Sequence, residues 1–308
     1  MGDWHIQNLQ VVSLGTRLNV IELGSAQAPR TVLFVHGLRD SAHALLPTVQ
    51  TLLDAGGADA YRILLLELRG HGQSQRSQAY GMPNFILDAY NVQQQLIDGK
   101  FALFGHSLGG HIAAKYAALF AEQISALMLI EGLGPPTRAH EGDASKELAA
   151  YRHMLLTRFR LSSDRTLPSL DEVVDKLLKN NPRLDPAAAR ALAPHLTREQ
   201  DGKLSWAFDS LASSVFVGTS AAENEKFWRH VEAPTLIVSG SLSYEYWGSE
   251  LAEAGFSGKF AEGEMEARAA MFKHAQHHWF ANSGHMVHYD EPERLGQLIA
   301  DFLENNYE

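Results

Sequence analysis

The sequence predicts an α/β protein: a doubly wound, mostly parallel sheet carrying an inserted helical cap. Three observations lead there. Continuous apolar runs, the mark of strands buried on both faces, alternate with stretches of helical periodicity. One such run passes through Gly105-His106-Ser107-Leu108-Gly109 into a helix rich in small residues. From about 135 to 230 the apolar runs stop while helical patterning continues.

The elements follow in order. Leu9 to Leu14 and Leu18 to Leu23 read as two strands around a turn at Gly15. Thr31 to Val35 is a fully apolar strand. Ala44 to Ala55 is helical and stops at Gly56-Gly57. Arg62 to Glu67 is the next strand, Asn84 to Ile97 a helix, and Phe101 to Phe104 the strand before the Gly-rich turn. Beyond it Ile112, Tyr116, Leu119 and Phe120 keep helical spacing, while Ala113, Ala114, Ala117 and Ala118 let that helix lie close to a sheet. Ala126 to Ile130 is another buried strand. Pro234 to Ser239 and Gln276 to Ala281 complete the series, with helices over Lys259 to Lys273 and Pro292 to Asn305. Between 135 and 230 no buried strand is expected. Helices fit Glu147 to Phe159 and Leu170 to Leu178, and prolines punctuate the rest. Tyr151, Met154, Trp206, Phe208 and Trp228 favour a packed subdomain over loose connections. The expected organisation is a core of 1–134 and 231–308 with a cap of 135–230.

Bulk properties narrow the function. The 308 residues suit one large domain with an insertion, and 45% hydrophobic residues supply a sizeable core. A net charge of −10 disfavours nucleic acid and anionic membranes as partners. With no Cys there is no disulfide, thiol chemistry or Cys-based metal site. No signal peptide and no stretch of roughly 20 apolar residues is evident, so a cytoplasmic protein is expected.

Ser107 is the candidate nucleophile. G-x-S-x-G between a strand and a helix suits a sharp turn that pushes the central hydroxyl out of the backbone. A Ser hydroxyl at neutral pH needs a base, and the base needs a group to orient it. On such an elbow the partners follow in the order Ser, acid, His. His285 leaves the last strand on a loop leading to the final helix, and is the candidate base. His288, nearer that helix, is expected to be structural. His274, His277 and His278 look like a metal cluster, but neighbours on a strand face opposite sides. No metal or organic cofactor is expected.

Taken together, His36-Gly37, the run Leu68 to Ser74, Gly105 to Gly109 and Ser283 to His288 resemble the α/β-hydrolase superfamily, in its capped esterase, dehalogenase and epoxide-hydrolase-like branch. The resemblance spans nearly the whole chain and is weakest in the cap. It implies an Asp three residues after Gly240, but Ser243 stands there. Some relatives place the acid one strand earlier. That position is Glu131, at the end of the strand after the nucleophile helix, with Glu245 as the alternative. The resemblance also implies an oxyanion hole from the backbone N–H groups of Leu38 and Leu108. His36 and Glu67 are expected to support neighbouring loops, and Asp40 to be an ordinary loop residue.

The expected activity is hydrolysis of a carboxylic ester of a small to medium, mainly apolar substrate through an acyl-enzyme. A lactonase, a thioesterase or a carbon–carbon bond hydrolase would use the same three residues. A ligand-binding protein of little activity is the alternative outside catalysis. A Ser nucleophile argues against dehalogenase or epoxide hydrolase activity, since relatives of those activities use Asp there.

Overall fold

A computed structural model of the chain describes residues 6–57, 59–137, 143–158, 166–216, 221–251 and 257–307. Ten strands occur in chain order: β1 (Gln7–Ser13), β2 (Thr16–Gly24), β3 (Arg30–Val35), β4 (Tyr61–Leu66), β5 (Phe101–His106), β6 (Ile124–Ile130), β7 (Thr197–Gln200), β8 (Lys203–Trp206), β9 (Thr235–Gly240) and β10 (Ala275–Phe280). Eight form one sheet in the order β1-β2-β4-β3-β5-β6-β9-β10. β1 and β2 pair antiparallel, as do β2 and β4, and every other pairing in that sheet is parallel.

The apolar runs become strands buried on both faces because their side chains alternate between two cores. In β3, Val32 and Phe34 join one core while Leu33 and Val35 join the other. The first core is closed by α1 (Leu46–Gly56) and the C-terminal α11 (Pro292–Asn306), through Val49, Leu52, Leu295 and Ile299. The second is closed by α2 (Met82–Leu96) and α3 (Leu108–Leu119), through Phe85, Val92, Ile112 and Tyr116.

Between β6 and β9 the chain forms α4 (Ala144–Arg158), α5 (Leu170–Asn180), α6 (Pro186–Leu192), the β7–β8 hairpin and α7 (Ala221–Trp228). A third core lies here, built from Val173, Leu177, Leu184, Leu192 and Leu196 together with Ala44 and Tyr289 of the sheet unit. The hairpin corrects the expectation of a purely helical segment. Its turn is Asp201-Gly202, both at positive φ (51° and 70°), an Asp-Gly pair that favours a two-residue hairpin. Its strands are short and half-exposed, so they lack an apolar run. Phe159, the expected end of α4, lies outside the described residues.

Two helices depart from expectation in the C-terminal third. α8 (Tyr244–Leu251) follows β9 where no helix was expected. Only α9 (Glu264–Ala269) of the stretch Lys259 to Lys273 is helical, because Gly263 at φ 75° interrupts the backbone before it. The single turn α10 (Val287–Asp290) precedes α11. Among the described residues no helix is long and apolar enough to cross a membrane.

Candidate active site

Loops at the C-terminal ends of the parallel strands collect the polar residues, as expected of an open α/β sheet. Ser107 sits between β5 and α3 at φ 51°, ψ −114°, a conformation rare for a residue with a side chain. Its neighbours explain how the turn survives. A Cβ on Gly105 would overlap the Gly109 carbonyl, and one on Gly109 would overlap the Val35 carbonyl. The elbow is therefore packed directly against the end of β3.

Three side chains converge there from separate loops. His285, five residues beyond the end of β10, places Nε2 3.0 Å from Ser107 Oγ. Its Nδ1 lies 3.0 Å from Glu131 Oε2. A carboxylate accepts only, so Nδ1 carries the proton and donates, which leaves Nε2 with a lone pair toward the serine hydroxyl. Glu131 is itself held at φ 51°, and its Oε1 accepts the Gly240 N–H at 2.7 Å. Both carboxylate oxygens are thus used, and the residue is 5% exposed.

Glu245 takes another direction. It makes an ion pair with Arg183 at 3.0 Å, half-exposed. The two residues after it turn toward the site instead: the Tyr246 ring stacks on His285 at 4.0 Å and 9°, and Trp247 meets that ring edge-on at 4.8 Å. Ser243 is buried and immediately precedes α8, its carbonyl accepting the Tyr246 and Trp247 N–H groups at 3.1 Å.

The turn after β3 carries Leu38, and its position follows from two imidazoles. His36 Nδ1 donates to the Gly37 carbonyl at 2.7 Å while its Nε2 accepts the Leu68 N–H at 3.1 Å. His71 Nδ1 donates to the Arg69 carbonyl and its Nε2 accepts the Arg39 N–H, both at 3.0 Å. Each ring is neutral in this role. Burial first, with the neighbouring His36 imidazole, lowers His71 to about 3, and burial also lowers His36. Gly37 lies against the elbow: a Cβ there would sit 3.3 Å from Ser107 Cβ. Leu108 is the first residue of α3, whose N–H has no carbonyl within its own helix to bond. Glu67 is buried and accepts from Gln73 N–H at 2.7 Å and Asn19 Nδ2 at 3.1 Å, tying β4 to its following loop.

A buried polar group behind the site escaped the sequence. Asp40, expected to be an ordinary loop residue, is 4% exposed and accepts from His288 Nε2 at 3.0 Å and Tyr289 Oη at 2.8 Å. Burial raises its pKa, but the His288 hydrogen bond and charge together with His36 and His106 outweigh that and hold it at about 2. His106 donates from Nε2 to the His285 carbonyl at 2.9 Å. Burial, reinforced by His288 and His285, keeps His106 well below the usual histidine range. The elbow and the His285 loop are thus bonded to each other behind the Ser107–His285 contact. Asp40, His106 and His288 offer ligand atoms within 4.8 Å of one another. A metal there would have to displace the Asp40–His288 bond or the bond to the His285 carbonyl, so these residues fit hydrogen bonding better than ligation. His277 Nε2 bonds Ser239 Oγ at 3.1 Å, away from this group.

A model of the alpha/beta hydrolase family matches residues 32–298. The chain belongs to that family. This α/β hydrolase is similar to a serine hydrolase-like protein of Danio rerio, 21% identical over 282 residues, covering 89% of this chain and 82% of the relative. It is similar to the esterase Rv0045c of Mycobacterium tuberculosis, 26% identical over 284 residues, covering 90% and 83%. Among solved structures it is similar in fold to the thioesterase domain from the curacin biosynthetic pathway, with a TM-score of 0.78 at 20% identity, covering 96% of this chain and 99% of that one.

Proposed function

We propose that this α/β hydrolase is a serine esterase acting on carboxylic esters of small to medium, mainly apolar substrates. The observation that carries the proposal is the chain of two 3.0 Å contacts from Glu131 through His285 to the hydroxyl of Ser107 on a strained elbow. That order of groups lets a serine become a nucleophile at neutral pH.

In this reading His285 Nε2 takes the Ser107 proton as Oγ attacks the ester carbonyl carbon. The carbonyl π electrons move to oxygen, which the N–H groups of Leu38 and Leu108 stabilise. Each such donor is worth about 3–4 kcal/mol in the transition state. Glu131 stabilises the imidazolium through Nδ1 without taking its proton. As the tetrahedral adduct collapses, His285 gives the proton to the departing alkoxide and an acyl-serine remains. Water, deprotonated by the same Nε2, then attacks the acyl carbon, and Ser107 leaves with the proton returned by His285. The Tyr246 ring stacked on His285 restricts its rotation between these steps.

We also assign residues 135–230 as a lid that selects the substrate. Support comes from its core, which packs on Ala44 and Tyr289 beside the turn after β3 and the His285 loop. The experiment that tests the function joins a fluorophosphonate probe to a panel of p-nitrophenyl esters of increasing acyl length. Labelling of Ser107 with turnover of short and medium esters is expected. A folded protein that labels elsewhere, or turns over no ester in the panel, would remove the proposal.

A further inference from the structure

A cavity of about 820 Å³ lies at the seam between the sheet and the segment after β6, and none of Ser107, Glu131 and His285 lines it. Its walls carry Arg17 from β2, Arg76 from the loop after β4, and Arg198 from β7, with His43 and His195 facing in from opposite sides of the seam. Those two imidazoles stack at 3.5 Å and 11°.

The charge balance here runs against the chain. Acidic residues outnumber Lys and Arg, 36 to 26, so an arginine should readily find a carboxylate. Yet among the described residues neither Arg17 nor Arg198 makes an ion pair. Arg198 is nonetheless fixed in direction, since its Nη2 donates to the Gly72 carbonyl at 2.7 Å and leaves the rest of the fork for another acceptor. Among the described residues the one carboxylate in the wall is Glu67. It is 1% exposed and engaged by Gln73, Asn19 and Ser41 and by His43 Nδ1 at 3.8 Å, so the cations left for a ligand at the open face of the cavity are Arg17 and Arg198. An acyl chain in such a place would strip water from guanidinium groups and return nothing. Oxygen-rich anions match the guanidinium fork, and the volume falls within the range of sites for small metabolites.

We propose that this cavity binds a free phosphate-bearing small molecule, held by Arg17 and Arg198 with His195 as a further donor. It is a second site, independent of the ester chemistry. The proposal extends to no nucleic acid, because a chain of net charge −10 repels a long polyanion.

Calorimetric titration of the whole chain with inorganic pyrophosphate, at neutral pH and constant ionic strength, tests the site without depending on any catalytic activity. One saturable event per chain is expected. The double variant R17Q/R198Q should weaken it by about tenfold or more. Arg17 is exposed, so R17Q alone serves if the double variant melts early, and a loss of about threefold is expected from it. Arg229, a surface arginine beside Glu225, is the control, and R229Q should bind as the unaltered chain does. Three results overturn the proposal: no saturable heat up to about 10 mM pyrophosphate, unchanged affinity in folded R17Q and R17Q/R198Q, or an equal loss in R229Q.

Discussion

The edge of the sheet and the segment between β6 and β9 are built by different rules. At the edge, buried polar groups hold one another. Glu131 bonds His285 and the Gly240 N–H, Asp40 bonds His288 and Tyr289, and His106 bonds the His285 carbonyl. The intervening segment has a small apolar core of its own and leaves Leu148 and Leu156 of α4 exposed at 70% and 48%. It meets the sheet partly through polar contacts: Arg183 to Asp290 and Glu245, and Arg198 to the Gly72 carbonyl. A network of buried, cross-linked hydrogen bonds has one geometry, whereas a half-exposed helical layer can repack at small cost. On the proposed function, chemistry belongs in the first and substrate choice in the second.

The sharpest way to test that division is Ser107→Ala. On the proposed mechanism ester turnover falls on the order of 10⁴-fold or more, with an unchanged melting temperature. A purified, folded variant within tenfold of the parent would place the chemistry elsewhere.

Next in size is the acid. Glu131→Gln should cut kcat by up to ~10⁴-fold, since the amide can present an N–H to Nδ1 and favour the wrong tautomer. Glu245→Gln removes a half-exposed partner of Arg183 and should change kcat far less. A reversal of that ranking, measured side by side with melting curves, would exchange the two assignments. Ser243→Asp in the Glu131→Gln background should recover part of the activity, because Ser243 is buried at the head of α8, whose Tyr246 and Trp247 contact His285.

A third effect is on stability and lies in the network behind the site. Asp40 has its pKa depressed from 3.8 to about 2, so it stabilises the fold above its unfolded pKa and loses that contribution as pH falls toward 2. The shift corresponds to about 2 kcal/mol at neutral pH. Asp40→Asn should lose stability of that order in urea unfolding at pH 7 and show a shallower decline between roughly pH 4 and pH 2. Equal slopes for the two proteins would mean that the His288 bond does not hold the charge.

The smallest expected change is in the proposed lid. Shrinking Trp206 or Phe208, which stack on each other at 5.6 Å, should shift the preferred acyl length by ~1–3 kcal/mol per methylene in discrimination, with the rate on the shortest ester nearly unchanged. A scan of that pair and of Tyr151 that altered melting temperatures but never the length profile would dissolve the distinction between the two regions.

Local patterns in the sequence determined the sheet, the elbow and which loops carry polar residues. Buried parallel strands must be apolar throughout, and a turn as tight as the one at Ser107 requires glycines at 105 and 109. The Asp201-Gly202 turn was equally legible, but its half-exposed strands carried no apolar run to draw notice. Ser107, Glu131 and His285 could be singled out because each directly follows a strand or its turn. Their meeting at 3.0 Å depends on the strand order β5-β6-β9-β10, which brings residues 178 positions apart into one hydrogen bond. The Asp40–His288 bond spans 248 positions, and its sequence surroundings look like an ordinary loop. The stacking of Tyr246 on His285, the turn of Glu245 toward Arg183 and the cationic cavity were likewise invisible. Each is a contact between elements that local periodicity treats separately, so only the packing of the folded chain could decide it.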